Sequence, residues 1–150
     1  MRHEIHTEIE VSASAPRVWQ VLTNGNALAS WNPVLTRLDG PLEVGRKTRI
    51  DIHTNGRRLP LKVKLTIVRP DEALEWTGGI AGLFKARHGF RIEPIDDEGR
   101  VRFVHYEYFD GVAVGPLRRL LASLEKDYAR MNEALRDFAE ATVVDGRRPS

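Results

Sequence analysis

Two periodicities divide the chain. Up to about residue 110 apolar and polar positions alternate, as in strands with one buried face, and from Pro116 onward apolar residues recur every three or four positions, as on one side of a helix. His3 to Val11 opens the alternation, with Ile5, Ile9 and Val11 on one parity. The stretch SASAPRVWQVL reads as a helix start: Ser12 or Ser14 caps it, Pro16 falls in the first turn, and Val18, Val21 and Leu22 share a face. NGNALASWNP then breaks the pattern and predicts a short helical turn ending at Pro33.

The clearest local signal is Asn55-Gly56, the preferred pair for a two-residue type I′ hairpin turn, set between two alternating runs. Pairing Thr54 with Arg57 sets Ile52 opposite Leu59, Ile50 opposite Leu61 and Thr48 opposite Val63, so one face is almost wholly apolar while Lys62 and Lys64 point the other way. After Pro70-Asp71, ALEWTG predicts another strand and GGIAG a bend. LFKARHGFRIEP then places Phe84, Ala86, His88, Phe90 and Ile92 on one side. The DDEG turn leads into VRFVHYEYF, whose matching face carries Val101, Phe103, His105, Glu107 and Phe109. A hairpin centred on that turn pairs even positions of the first strand with odd positions of the second. His88 therefore lies opposite Glu107 or His105, and Phe90 near the other.

The final stripe is Leu117, Leu121, Leu124, Tyr128, Met131, Leu135 and Phe138, with Arg118, Lys126, Arg130, Glu133 and Arg136 on the opposite face. It predicts one amphipathic helix of roughly 25 residues, about 38 Å long at ~1.5 Å per residue. A sheet with one apolar face needs a cover, and this helix is the element long enough to supply it. The expected class is α+β: a curved antiparallel sheet of about six to seven strands wrapped on a long C-terminal helix, with one or two short helices after the first strand. The domain is expected to span residues 1–142, with 143–150 a polar, disordered tail.

Composition narrows the function. With 41% hydrophobic and 29% charged residues among 150, the chain is an ordinary globular protein and not a disordered one. The formal net charge is only +2 and the signs are interspersed, which argues against nucleic acid as a partner despite the pairs Arg57-Arg58 and Arg118-Arg119. There is no cysteine, which excludes disulfides and thiolate chemistry within the chain. The N-terminal segment lacks the apolar stretch of a secretory signal, and nothing approaches the roughly 18 apolar residues that would span a bilayer. A cytoplasmic protein without stable membrane insertion is expected.

The polar residues on the inward parities are the candidate chemistry. His88, His105 and Glu107 interrupt an apolar face, and unpaired polar groups are costly to bury. An imidazole beside a carboxylate can orient a ligand hydroxyl or carbonyl, or work as a general acid and base. Equally, Glu107 can simply satisfy His88 across the hairpin. Burial would lower the histidine pKa and a neighbouring carboxylate would raise it, so the net sign stays open. Trp76 and Phe84 fall on inward parities, and Tyr128 brings a hydroxyl that needs a partner if buried. Trp31, in SWNP, either packs into the core or rims a cavity mouth.

Other chemistries find little support. His53 has no second ligand at a metal-binding spacing, and Ser12, Ser14 and Ser123 lack a nucleophile-elbow context. GGIAG lacks the Lys and Ser/Thr of a phosphate-binding loop and leads into a strand. Neither a metal nor a cofactor is expected.

Taken in order, SAPRVWQVLTN with WNP, Val44-Gly45 before the hairpin, GLFKARHGFRIEP, the alternating Phe103, His105, Glu107, Phe109 and Gly111, and MNEAL in the last helix resemble the START-like, helix-grip superfamily often called SRPBCC. Within it, the chain resembles the small bacterial proteins labelled polyketide cyclase/dehydrase-like, from about Glu4 to Ala141. The resemblance implies a cavity between sheet and C-terminal helix that holds a small hydrophobic molecule. Members bind lipids, sterols, quinones, plant metabolites or polyketide intermediates; some catalyse cyclisation or dehydration, and others act as carriers or co-chaperones. Ala86 stands where the family commonly has glycine, which would narrow the cavity there.

The expected function is carriage or sensing of an apolar ligand with one polar group. The expected lining is Ile50, Ile52, Trp76, Phe84, Phe90 and Phe103 with His88, His105 and Glu107 from the sheet, Leu124, Tyr128 and Met131 from the helix, and Trp31 at the rim. A cyclase or dehydratase using the same His/Glu cluster and a protein-interaction module are the alternatives.

Overall fold

The computed structural model describes residues 2–146, with side chains described as far as Ala141. Seven strands form one antiparallel sheet in the order β1-β7-β6-β5-β4-β3-β2. They are β1 (Arg2–Val11), β2 (Leu35–Asp39), β3 (Lys47–Thr54), β4 (Arg57–Arg69), β5 (Ala73–Ile80), β6 (Phe84–Pro94) and β7 (Val101–Asp110). Between β1 and β2 lie α1 (Ala15–Thr23) and α2 (Leu28–Trp31), and α3 (Val114–Gly146) closes the chain. This is the helix-grip fold: a curled half-barrel holding one long helix.

Local sequence accounts for most of these elements. Of the two possible caps for α1, Ser14 is the one used: its hydroxyl accepts from the Arg17 backbone N–H at 3.2 Å. Asn55 and Gly56 both have positive φ, 51° and 72°, as the type I′ turn requires, and β3 pairs with β4 in the expected register from Thr54↔Arg57 to Thr48↔Val63. β6 and β7 pair His88 with Glu107 and Phe90 with His105, which decides between the two alternatives left by the alternation. β2 pairs with β3 through an irregularity between Leu35 and Arg37, and its alternation is too short to stand out in the sequence.

The helix departs from expectation at both ends. It is 33 residues long, beginning at Val114 rather than Pro116. Pro116 sits in its first turn, where a missing N–H costs nothing. Its other end lies at Gly146, inside the stretch 143–150 expected as a polar tail; the last part of that stretch, 147–150, lies outside the described residues.

The core divides along α3. Its second half, with Met131, Leu135 and Ala139 fully buried, packs against β1 and α1 together with Ile5, Val18 and Leu22. Its first half, with Leu117, Leu121 and Leu124, faces the strongly curled β3 to β6 and leaves a space there. Trp31, a candidate for the rim of that space, is found elsewhere: its ring stacks on Phe138 near the far end of α3, with centroids 5.4 Å apart and planes 11° from parallel. The α2 turn must dock against a helix, and the flat indole provides the contact.

Candidate functional site

The space between the curled strands and the first half of α3 is a cavity of about 320 Å³. β3 and β4 supply Ile50, Ile52, Leu59, Leu61 and Val63; β5 supplies Trp76; β6 and β7 supply Phe84, Ala86, His88, Glu107 and Phe109; α3 supplies Leu117, Leu120, Leu121, Leu124 and Tyr128. Leu59, Leu61 and Leu120 remain 41 to 48% exposed, so apolar side chains form the mouth. Polar groups gather at one place, where His88, Glu107 and Tyr128 meet, apart from Thr54 and Lys62 toward the hairpin end. Thr54 is itself engaged, donating to Asp127 Oδ2 of α3 at 2.7 Å.

Eight of the residues expected to line the cavity do so: Ile50, Ile52, Trp76, Phe84, His88, Glu107, Leu124 and Tyr128. His105, Phe90, Phe103 and Met131 do not, and aromatic packing is the reason. The His105 ring is fully buried against both His88, centroids 4.9 Å apart, and Tyr128, at 4.4 Å, and those two rings also touch each other at 5.0 Å. Behind this stack Phe90 lies 4.6 Å from His105 and 5.7 Å from Phe103. Those rings and Met131 fill the region beyond His88 and Tyr128, so the cavity ends at that wall.

A line of polar contacts runs through the wall, hydrogen-bonded throughout except between His88 and Glu107. Tyr128 donates to Glu107 Oε1. His88 Nδ1 lies 3.5 Å from the same oxygen, and His88 Nε2 lies 2.7 Å from His105 Nε2. His105 Nδ1 is 2.9 Å from Asn132 Oδ1, Asn132 Nδ2 donates to Thr7 Oγ1 at 2.8 Å, and Thr7 donates to the His105 carbonyl at 3.0 Å. Asn132 and Thr7 escaped the reading of the sequence, although both carry a signal. Thr7 shares the inward parity of Ile5 and Ile9, and Asn132 lies four residues after Tyr128 on the buried side of α3.

Burial governs the charges. Desolvation holds His88 well below the ordinary histidine value, with His105 beside it acting in the same direction. His105 is lowered to about 4 by burial, partly offset by its bond to Asn132. Burial raises the Glu107 carboxyl to about 8 against the opposing effect of the Tyr128 bond, and pushes the Tyr128 phenol well up. The approach of His88 to Glu107 is therefore a contact between neutral groups and not an ion pair at neutral pH. Among the described residues no three His, Asp or Glu side chains converge as metal ligands. The site can offer hydrogen bonds and one proton held near neutrality in an apolar enclosure.

The architecture recurs in solved structures. The chain superposes on the Zhui aromatase/cyclase from Streptomyces sp. R1128 with a TM-score of 0.75 at 16% identity, covering 95% of this chain and 96% of that one. It superposes on a START superfamily protein from Mycobacterium smegmatis at 0.68 and 17%, covering 93% and 98%, and on a norcoclaurine synthase from Thalictrum flavum at 0.68 and 18%, covering 94% and 96%. At such identities the likeness is one of fold. No curated protein matches the sequence significantly. No helix among the described residues is long and apolar enough to cross a membrane. The family model for polyketide cyclase / dehydrase and lipid transport matches residues 2–140, nearly the whole chain. With the helix-grip fold and the cavity under its helix, that match identifies the chain: it belongs to the polyketide cyclase / dehydrase and lipid transport family.

Proposed function

We propose that this protein binds a small hydrophobic molecule with one polar group in the cavity between the sheet and α3, as a carrier or sensor. The observation that carries this reading is the cavity itself: about 320 Å³ of apolar space with its deeper polar groups gathered at one wall, the usual make-up of a small-molecule site. The apolar mouth at Leu59, Leu61 and Leu120 suits a greasy ligand entering from solvent or from another carrier.

The test has two parts. The protein as purified is extracted under denaturing conditions and the extract searched for a co-purifying apolar species. It is also titrated with the neutral fluorophore N-phenyl-1-naphthylamine, for which saturable one-to-one binding is expected. Ala86→Trp, which fills the lining from β6, should abolish the binding while leaving the circular dichroism spectrum intact. Failure of the wild type to bind any neutral apolar probe, or binding indifferent to Ala86→Trp, would overturn the reading.

One observation favours a second reading, a cyclase or dehydratase acting on a polyketide-like substrate. A carboxyl raised to about 8 is poised to give and take a proton near neutrality, and Glu107 holds one against the cavity. On this reading Glu107→Gln loses turnover but keeps ligand binding.

A further inference from the structure

We propose that Thr7 and Asn132 fix the proton positions of both buried histidines, so that Glu107 meets the cavity as a neutral hydrogen-bond donor and selects an uncharged apolar molecule bearing a carbonyl-type oxygen. This rests on the binding function above and names the class of ligand it serves.

The order of protons is set by a group that can only accept, the backbone carbonyl of His105. Thr7 Oγ1 lies 3.0 Å from it, so the single Thr7 proton is committed there. Thr7 must then accept from the Asn132 side chain 2.8 Å away, which makes that arm of the amide the NH2. The other arm is oxygen, so His105 Nδ1, 2.9 Å from it, donates. A neutral imidazole protonated on Nδ1 accepts at Nε2; His88 Nε2, 2.7 Å away, is therefore the donor between the two rings. His88 Nδ1 keeps a lone pair facing Glu107 Oε1 at 3.5 Å, where Tyr128 has already committed its own proton.

An ionised Glu107 would set a carboxylate against that lone pair in an apolar enclosure. A proton on the carboxyl takes away that charge; with Oε1 already accepting from Tyr128, the proton rests on Oε2, and burial, which raises this group to about 8, acts the same way. The groups around it offer no compensating charge: β6 brings the neutral His88, β7 brings His105, α3 brings Tyr128 and, beyond it, the anionic Asp127, and β1 places Ile5 across the strand pair. Among the described residues the one formal cation lining the cavity is Lys62, on β4, which is not a neighbour of β7 in the sheet. Both nitrogens of His88 and the Tyr128 hydroxyl face protein partners. Glu107, whose side chain keeps 8% of its surface exposed and which lines the cavity, is left to meet a ligand. A neutral acid there favours an acceptor oxygen and disfavours an anion.

Four probes of similar shape separate the possibilities: 2-acetylnaphthalene, 2-isopropylnaphthalene, 2-naphthoate and 1-(2-naphthyl)ethylamine. The ketone should bind roughly three- to tenfold more tightly than the hydrocarbon, as one added hydrogen bond allows. That preference should fade as the pH is raised through 8. Long-range 1H–15N correlation spectra should show His105 protonated on Nδ1 and His88 on Nε2. Thr7→Val removes the anchor while keeping the shape; His105 should then report mixed tautomers, and the ketone preference should shrink without loss of hydrocarbon binding. Equal binding of ketone and hydrocarbon, tighter binding of the naphthoate or the amine, or the opposite tautomers would overturn the proposal and leave the binding function standing. If none of the four binds, both fall together.

Discussion

Glu75 and Glu107 are both buried on the same sheet, and both accept a hydrogen bond from a tyrosine hydroxyl, yet they face opposite sides of it. On the outer face Glu75 takes Tyr106 OH at 2.7 Å on one oxygen and Thr66 Oγ1 at 2.7 Å on the other, with Arg87 Nε 3.6 Å away. The Tyr106 ring lies over Gly89, where an added Cβ would come within 2.2 Å of it, and Arg91 stacks on the ring from above. Every acceptor there has a donor and a cation stands nearby. On the inner face Glu107 has one donor and a neutral imidazole, and its side chain lines the cavity. Similar residues thus make a closed structural clasp in one place and an incompletely satisfied group in the other. The incomplete one is where a ligand has something to complete.

Removing each acid should break this symmetry first. Glu75→Leu strands the Tyr106 and Thr66 hydroxyls and should cost about 3 kcal/mol in urea unfolding at pH 7. The double change Glu107→Leu with Tyr128→Phe replaces both polar partners by apolar groups and should stay within about 1 kcal/mol of wild type. Similar losses from the two variants would mean that the inner acid is as structural as the outer one.

A smaller effect is read from pH. Glu107 holds its proton more tightly folded, at about 8, than unfolded, at 4.5, so its contribution is complete below 4.5 and is lost as pH rises through 8. His105 behaves oppositely: at about 4 folded against 6.5 unfolded, its contribution is complete above 6.5 and is lost as pH falls through 4. His88 is displaced in the same direction as His105. Between pH 6.5 and 8 only the Glu107 contribution changes among these groups. Stability should decline there by up to about 1.4 kcal/mol per pH unit, and Glu107→Gln should flatten the decline in chemical denaturation.

The smallest effect sharpens the outer site. Arg87 is half-exposed and 3.6 Å from Glu75, so Arg87→Ala should cost less than about 0.5 kcal/mol. A larger loss would shift the weight of the clasp from its two hydroxyls to the ion pair.

Much of this was legible in the chain because short-range rules and long-range pairing agree. Asn55-Gly56 sets a turn, the turn sets the register, and the register puts Ile50, Ile52, Leu59 and Leu61 on one wall of the cavity. The same logic set His88 opposite either Glu107 or His105, and the observed pairing is with Glu107. Alternation, however, records only which face a residue is on and not how deep it lies. His88 and His105 share a face, but one lines the cavity and the other sits behind it, because sheet curvature and ring stacking decide depth. Thr7 and Asn132 were missed because β1 and α3 meet only in three dimensions, through a contact spanning 125 positions of sequence.

The sheet never closes into a barrel, and its two free ends are protected differently from the growth of further strands. β2 is five residues long and interrupted by an irregular pairing, too short and uneven to template a neighbour. β1 is ten residues long, but its even positions carry Arg2, Glu4, His6, Glu8 and Glu10 outward, and α3 packs along its other face. A strand adding to this edge would have to pack against a row of charged side chains, three of them glutamates. The half-barrel that leaves room for a ligand thereby also resists edge-to-edge aggregation.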